Sequence, residues 1–421
     1  MVRRRTPGSL AALMAIAIGG GCAVVAGLED KRLLPDVDVD GGASDGGGTD
    51  VDATAVAPPE VVLGGLKRPY ALALDVTSIY FTEEQGGTVQ RLRKGEKAPV
   101  VMAVGQNSPR QLLLDAQFVY WRSDNLAGDA GGGNSYPIAR LEKVKDKSAM
   151  PQTLWREDAT RVFPIRGLSL YEPTDGRTEN LLFITREGRV QKKPRDRDYQ
   201  DSDIATNQNT PSVVASDDAF VYWVAEGEYA IRRQKKDPSA PDGGTAPAIE
   251  TIHTSPDRVF ALDLALDDEN VFWLDQLGRV FRKKKASDPA PAVRLASSES
   301  TGAGSLSLSK DAVYWTNGDR GTVLPKNGTE QSKRVLATAQ TQPRGIVADT
   351  FDTPQRVYWV TETSLVRLTP CSSERELEPS TALQTLVRAL PRVTIPFMLH
   401  PRAFRVCTRG QGRQTSASRA M

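Results

Sequence analysis

The chain has 421 residues, 39% hydrophobic and 25% charged, the proportions of an ordinary soluble globular protein. Its 54 basic and 52 acidic side chains leave a net charge of +2, so overall electrostatics favour neither nucleic acid nor an acidic partner. Two histidines, His253 and His400, are too few and too far apart for a histidine-based metal centre.

Residues 1–22 have the pattern of a signal peptide. Arg3, Arg4 and Arg5 form a positive start, and Leu10 to Ile18 has the length of an apolar core segment. Gly19, Gly20 and Gly21 then precede Cys22. Small residues ahead of a cysteine resemble the lipobox of bacterial lipoproteins, in which the peptide is cut before a cysteine that takes lipid. The resemblance makes Cys22 the lipid-attachment residue and implies an exported protein of the cell envelope, periplasmic or on the outer membrane. Gly19 stands where that family has leucine. The uncharged run Leu10–Leu28 also leaves an uncleaved anchor or simple secretion open. Cys371 and Cys407 would then be the two remaining thiols, free to pair in an oxidising compartment.

Residues 23–58 read as a flexible tether rich in Asp and Gly, too poor in apolar groups to offset the entropy of ordering. Asp36, Asp38, Asp40 and Gly41 match the first half of a calcium loop. The twelfth position, where a bidentate glutamate belongs, is Gly47, so the segment is assigned as linker with no metal.

From Glu60 onward the chain repeats. One unit reads Ala71-Leu-Ala-Leu-Asp75, then Ile79-Tyr80-Phe81-Thr82, then Gly87-Thr-Val-Gln-Arg91; another reads Asp263-Leu-Ala-Leu-Asp267, Val271-Phe272-Trp273-Leu274, Gly278-Arg-Val-Phe-Arg282. A third reads Ser305-Leu-Ser-Leu-Ser309, Val313-Tyr314-Trp315-Thr316 and Gly321-Thr-Val. The first aromatics fall at Tyr80, Tyr120, Phe183, Tyr222, Phe272, Tyr314 and Tyr358, with steps of 40, 63, 39, 50, 42 and 44 residues. Most of these steps match one propeller blade of ~40–50 residues. The 63-residue step contains Gly128 to Asn134, read as an insertion in the second blade. Four short strands per unit, without helical periodicity, predict an all-β propeller of about seven four-stranded blades over residues 59–390. The strand Val61-Val62-Leu63 is expected to complete the last blade.

The recurring Asp, Tyr-Trp-Thr and Gly-x-Val-x-Arg resemble the YWTD-type propellers of lipoprotein receptors, and the NHL-type and streptogramin-lyase-type propellers. That likeness concerns architecture, because propellers host unrelated activities. Lactonase propellers use carboxylates and an asparagine around a metal, and no such set is assignable here. No Gly-x-Ser-x-Gly elbow and no phosphate-binding loop is present, and no motif requires a cofactor.

In a propeller the first-to-second and third-to-fourth turns share one face. Here the former are acidic (Asp75, Asp115, Asp217, Asp267) and the latter basic (Arg93, Lys94; Lys192, Lys193; Arg233, Lys236; Lys283, Lys285), read as solvated turns that offset one another. The other face carries Glu83 with its neighbour Glu84, then Asp124, Glu226, Asp275, Asp319 and Glu362, just after the second strands. Arg68, Arg110, Arg258 and Arg344 stand beside prolines just before the first strands. Variable loops on a rigid scaffold are where binding residues concentrate, so this face is the expected ligand surface. His253 is placed in a loop, in a structural role. Residues 391–421 form a tail of unassigned structure, and Thr385-Leu-Val-Arg is a weak candidate for a late strand.

These features predict a monomeric, membrane-tethered binding or scaffolding module for an unknown protein or polar ligand of the envelope. The competing expectation is a metal-dependent lactonase or lyase-type enzyme with its site in the central funnel.

Overall fold

Each second strand of the repeat is apolar on both sides, which is stable only if both sides are covered. The computed structural model shows how. It describes residues 58–124, 137–155, 165–171, 180–185, 188–194, 202–236, 248–286, 289–297, 304–353 and 355–369. In this range the strands are β1 (Glu60–Leu63), β2 (Pro69–Leu74), β3 (Ser78–Glu83), β4 (Thr88–Arg93), β5 (Val100–Ala103), β6 (Pro109–Leu114), β7 (Phe118–Ser123), β8 (Ile138–Glu142) and β9 (Gln152–Trp155). They continue as β10 (Gly167–Tyr171), β11 (Asn180–Thr185), β12 (Arg189–Pro194), β13 (Ser202–Ala205), β14 (Pro211–Ser216), β15 (Phe220–Ala225), β16 (Ala230–Lys235), β17 (Glu250–Thr254), β18 (Ala261–Leu266) and β19 (Asn270–Asp275). The last are β20 (Val280–Lys284), β21 (Val293–Ala296), β22 (Leu306–Leu308), β23 (Ala312–Asn317), β24 (Arg320–Pro325), β25 (Arg334–Ala337), β26 (Ile346–Asp349), β27 (Arg356–Val360) and β28 (Leu365–Leu368).

Among the described residues these strands make seven four-stranded antiparallel sheets. Blades 1 to 6 are β2–β5, β6–β9, β10–β13, β14–β17, β18–β21 and β22–β25. Blade 7 takes β26, β27 and β28 from the C-terminal side and β1 from the N-terminal side, in the order β1-β28-β27-β26. The pairing sets Glu60 against Arg367, Val61 against Val366 and Leu63 against Leu365. The first strand of each blade touches the first strand of the next, and β26 touches β2, so the first strands ring a common axis. The chain is an all-β propeller.

The Tyr-Trp pair is explained by pleating, which sends neighbouring residues of a strand to opposite faces. On β7, Trp121 packs toward blade 1, with Tyr80, Val89 and Met102, while Tyr120 packs toward blade 3, with Ile165 and Leu168. On β15, Trp223 faces Val190 and Ile204 of blade 3, and Tyr222 faces Leu264 and Trp273 of blade 5. Among the described residues the first aromatic of one blade meets the tryptophan of the next in four interfaces: Tyr80 with Trp121, Tyr222 with Trp273, Phe272 with Trp315 and Tyr314 with Trp359. Three indoles also donate to a glutamine from the loop leaving the preceding blade: Trp121 to Gln106 at 2.9 Å, Trp223 to Gln208 at 3.1 Å and Trp359 to Gln340 at 2.9 Å.

The turns of the basic and acidic face are tied between blades and are not merely solvated. The Asp after the first strand caps its own turn: Asp75 accepts from Thr77 and Ser78 N–H, and Asp217 from Ala219 and Phe220 N–H. The same carboxylates accept from the Tyr80 and Tyr222 hydroxyls and pair with a lysine of the next blade, Lys143 at 2.9 Å and Lys285 at 2.7 Å. Lys326–Asp267 at 3.0 Å and Lys94–Asp349 at 2.7 Å repeat the device, the latter across the closure from blade 7 to blade 1. Arg91, Arg233 and Arg282 donate to the backbone carbonyls of Lys143, Lys285 and Lys326, one blade onward. Local patterning cannot show pairs that lie 68 residues apart, as Asp75 and Lys143 do.

His253 sits on β17, paired opposite Ile231, and not in a loop. Its ring lies 4.9 Å from that of Trp273, and burial, helped by Lys283, lowers its pKa to about 4. Cys22, Cys371, Cys407, His400, Gly128 to Asn134, the linker and the Thr385–Arg388 segment lie outside the described residues.

Candidate functional site at one end of the axis

Antiparallel register puts the start of a first strand beside the end of the second: Pro69 faces Glu83, Pro109 faces Ser123 and Ala261 faces Asp275. Arginines that precede or open first strands and acids that end second strands thus lie toward one end of the axis. The entry is sharply shaped. Arg68, Ser108, Thr210 and Gln342, each directly before a proline, have φ of 53°, 42°, 51° and 45°. Left-handed backbone at non-glycine residues costs of order 1 kcal/mol and is kept where the surroundings impose it.

Linked ion pairs run from blade 7 to blade 2, and a separate pair joins blades 3 and 4. Glu84 receives Arg68 at 3.1 Å, Arg344 at 3.4 Å and a short contact from Arg110. Arg110 also meets Asp124 at 3.2 Å, and Arg122 meets Asp124 at 3.4 Å while donating to the Ile165 carbonyl of blade 3. Arg166 meets Glu226 of blade 4 at 2.8 Å. Tyr70 lies within this group. The guanidinium carbons of Arg110 and Arg344 are 4.8 Å and 5.2 Å from its ring centre.

These groups are buried. Arg122 is 1% exposed and Tyr70 fully buried. Burial pushes the Tyr70 hydroxyl up to about 12, so it keeps its proton at neutral pH. Burial lowers the pKa of Arg122, with Arg110 and Arg166 adding to the effect. Arg344 is lowered too, by burial first and then by Arg68 and Arg110. For Arg110 burial is opposed by Tyr70, Asp124 and Glu84, which together outweigh it and raise the pKa.

Of the residues expected on this face, Arg68, Arg110, Arg344, Asp124 and Glu226 enter these ion pairs. Glu83 does not. Its carboxylate accepts from the Lys67 N–H, Thr88 and Gln90, leaving the central role to Glu84. Asp275 is bound within blade 5 by Arg279 at 2.6 Å. Asp319 and Glu362 stay on the exposed rim, Asp319 beside Arg320 at 3.5 Å. The repeat does not single out Tyr70 and Arg166, whose partners belong to other blades, nor Arg122, whose place is held by Thr82 and Val224 elsewhere. Among the described residues no group of three His, Cys, Asp or Glu is placed to hold a metal ion.

No family model matches the chain, and no curated protein does. Solved structures do. A streptogramin B lyase aligns with a TM-score of 0.53 at 12% identity, over 73% of this chain and 95% of that one. A catalytically inactive virginiamycin B lyase from Staphylococcus aureus, solved with quinupristin, aligns at 0.54 and 11% identity, over 74% and 98%. At such identity the likeness concerns the propeller fold alone.

Proposed function

We propose that this protein is an extracytoplasmic binding or scaffolding module, tethered to a membrane through lipid on Cys22, that meets a polar ligand or partner protein at the arginine-rich mouth of its axis. The observation that supports this reading is the composition of that mouth. Four guanidinium groups share two carboxylates there, and Arg68 itself, like Ser108 and Gln342 two positions before Arg110 and Arg344, holds left-handed backbone. Charged donors on strained loops of a rigid scaffold suit recognition of a polar group.

Three experiments test it. Cys22→Ser should move the protein from the membrane fraction to the soluble fraction, and retention in the membrane would refute the lipid tether. Alanine at Asp319 and Glu362, on the exposed rim, should weaken capture of envelope partners at unchanged melting temperature. Capture intact in the double variant would move the surface elsewhere. One divalent ion per purified chain by elemental analysis would replace this reading with a metal-dependent lactonase or lyase.

A further inference from the structure

We propose that the axial mouth is a receptor for one small oxyanion, a carboxylate or phosphate group, gripped by the guanidinium groups of Arg110 and Arg122 and the hydroxyl of Tyr70. This names the ligand chemistry of the surface described above and rests on that reading.

Charge comes first. In the described ion pairs Arg68, Arg110, Arg122 and Arg344 share Glu84 and Asp124, so guanidinium groups outnumber carboxylates there, while Arg166 has Glu226. Four of the five arginines are buried. A buried charge without a partner is costly, and a protein keeps such a surplus where something else neutralises it.

The second observation is directional. Nη1 of Arg110, Nε and Nη2 of Arg122 and the Tyr70 hydroxyl are buried and make no hydrogen bond within the protein. Glu84 is engaged by three arginines; Asp124 pairs with two at 3.2 Å and 3.4 Å, and its Oδ1 is itself buried without a hydrogen bond. Unmet buried donors carry a desolvation cost of roughly 1–3 kcal/mol each, larger for charged groups.

The donor set decides the class of ligand. A guanidinium offers a planar fork of N–H groups that matches the oxygens of a carboxylate or phosphate. Tyr70, which stays protonated at neutral pH, adds a third donor. A cation would be repelled, and an apolar group would leave every donor unmet. Downward pressure on Arg122 and Arg344 agrees, since an anion placed here would favour their charged forms.

The test uses the full chain in thermal unfolding at constant ionic strength, with sodium chloride replaced stepwise by sodium phosphate or sodium acetate. A ligand that binds only the folded state raises the melting temperature by mass action. We expect a saturable rise with at least one of the two anions. Phosphate acting alone identifies a phosphoryl group, and acetate acting as well identifies a carboxylate. Arg122→Met keeps the apolar stem and removes the fork, and should weaken the apparent Kd at least ~10-fold, the loss of about one charge-assisted bond. Arg122→Lys, which keeps the charge and not the fork, should weaken it as well and serves if the Met variant fails to fold. No anion-specific rise in the wild type overturns the proposal, and so does an equal rise in both variants. Rim variants that lose partner capture, with no oxyanion effect in the wild type, would sink the oxyanion site and leave the binding reading standing. An oxyanion effect with intact capture in the rim variants would do the reverse.

Discussion

Asp263 offers the sharpest energetic prediction. It lies on β18 in the innermost ring and is fully buried, with no cationic partner among the described residues. Its carboxylate accepts from Leu264 N–H at 2.9 Å, Leu306 N–H at 2.8 Å and the Ser305 hydroxyl at 3.2 Å, tying blade 5 to blade 6. Burial outweighs these three bonds and raises the pKa from 3.8 to about 7. The sign follows. The folded state holds this proton more tightly than the unfolded chain, so this group's contribution to stability is greatest below pH 4 and falls as pH rises toward 7. The whole loss is about 4 kcal/mol at 1.36 kcal/mol per tenfold change in proton affinity. Asp263→Asn removes the ionisation but turns one amide N–H toward a donor, which costs about 1 kcal/mol. The variant should therefore gain about 2–3 kcal/mol over wild type at pH 8, and lie slightly below it at pH 4. Urea unfolding at both pH values measures the difference. The comparison must be variant against wild type, because His253 acts oppositely: its depressed pKa makes stability fall as pH drops from 6.5 toward 4. Equal stability differences at pH 4 and pH 8 would refute the reasoning.

Trp223→Ala, at the interface of blades 3 and 4, should cost about 3–5 kcal/mol in urea unfolding, and a loss under 1 kcal/mol would contradict the role given to the tryptophans. Gly167→Ala should destabilise by about 1–3 kcal/mol, because a Cβ there would stand 2.5 Å from the Ser212 carbonyl oxygen; unchanged stability would show that blades 3 and 4 can part. A double-mutant cycle on Asp75 and Lys143 should give a coupling near 1 kcal/mol at pH 7. Burial opposes ionisation of Asp75, but bonds from Lys143, Thr77 and Tyr80 prevail and lower its pKa, so the coupling should hold down to pH 3.8 and weaken only below it; a coupling already lost at pH 5 would argue against it. Deleting residues through Leu63 should open blade 7, seen as a lower melting temperature with rising aggregation, and an unaltered melting curve would refute closure by β1.

The propeller was legible because its interfaces are local in sequence and regular in composition. Tyr120 and Trp121 are neighbours, and alternation alone sends one to each adjacent blade. The candidate site was legible only in part. Arg68, Arg110 and Arg344 stand out beside prolines, and Asp124 and Glu226 at strand ends. Which acid each arginine meets depends on where blades come to rest, and no local pattern encodes that. Arg122 occupies the place held by Thr82 in blade 1 and Val224 in blade 4, so it breaks the repeat and carries no periodic signal. Glu83 and Glu84 are indistinguishable in the sequence, and the pleat sends one to Thr88 and Gln90 and the other to the arginines. The lysines of the opposite face looked like solvated turns because each partner lies one blade away.

Hydrogen exchange with mass spectrometry, on the full chain with and without saturating phosphate or acetate, tests most directly whether the arginine-rich mouth of the axis is the ligand surface. Protection should concentrate in peptides covering Lys67–Tyr70, Ser108–Asp124, Ile165–Leu168 and Pro343–Ile346, with the Asp75–Lys143 end unchanged. Protection at the opposite end or along the outer strands, or none anywhere, would contradict the account.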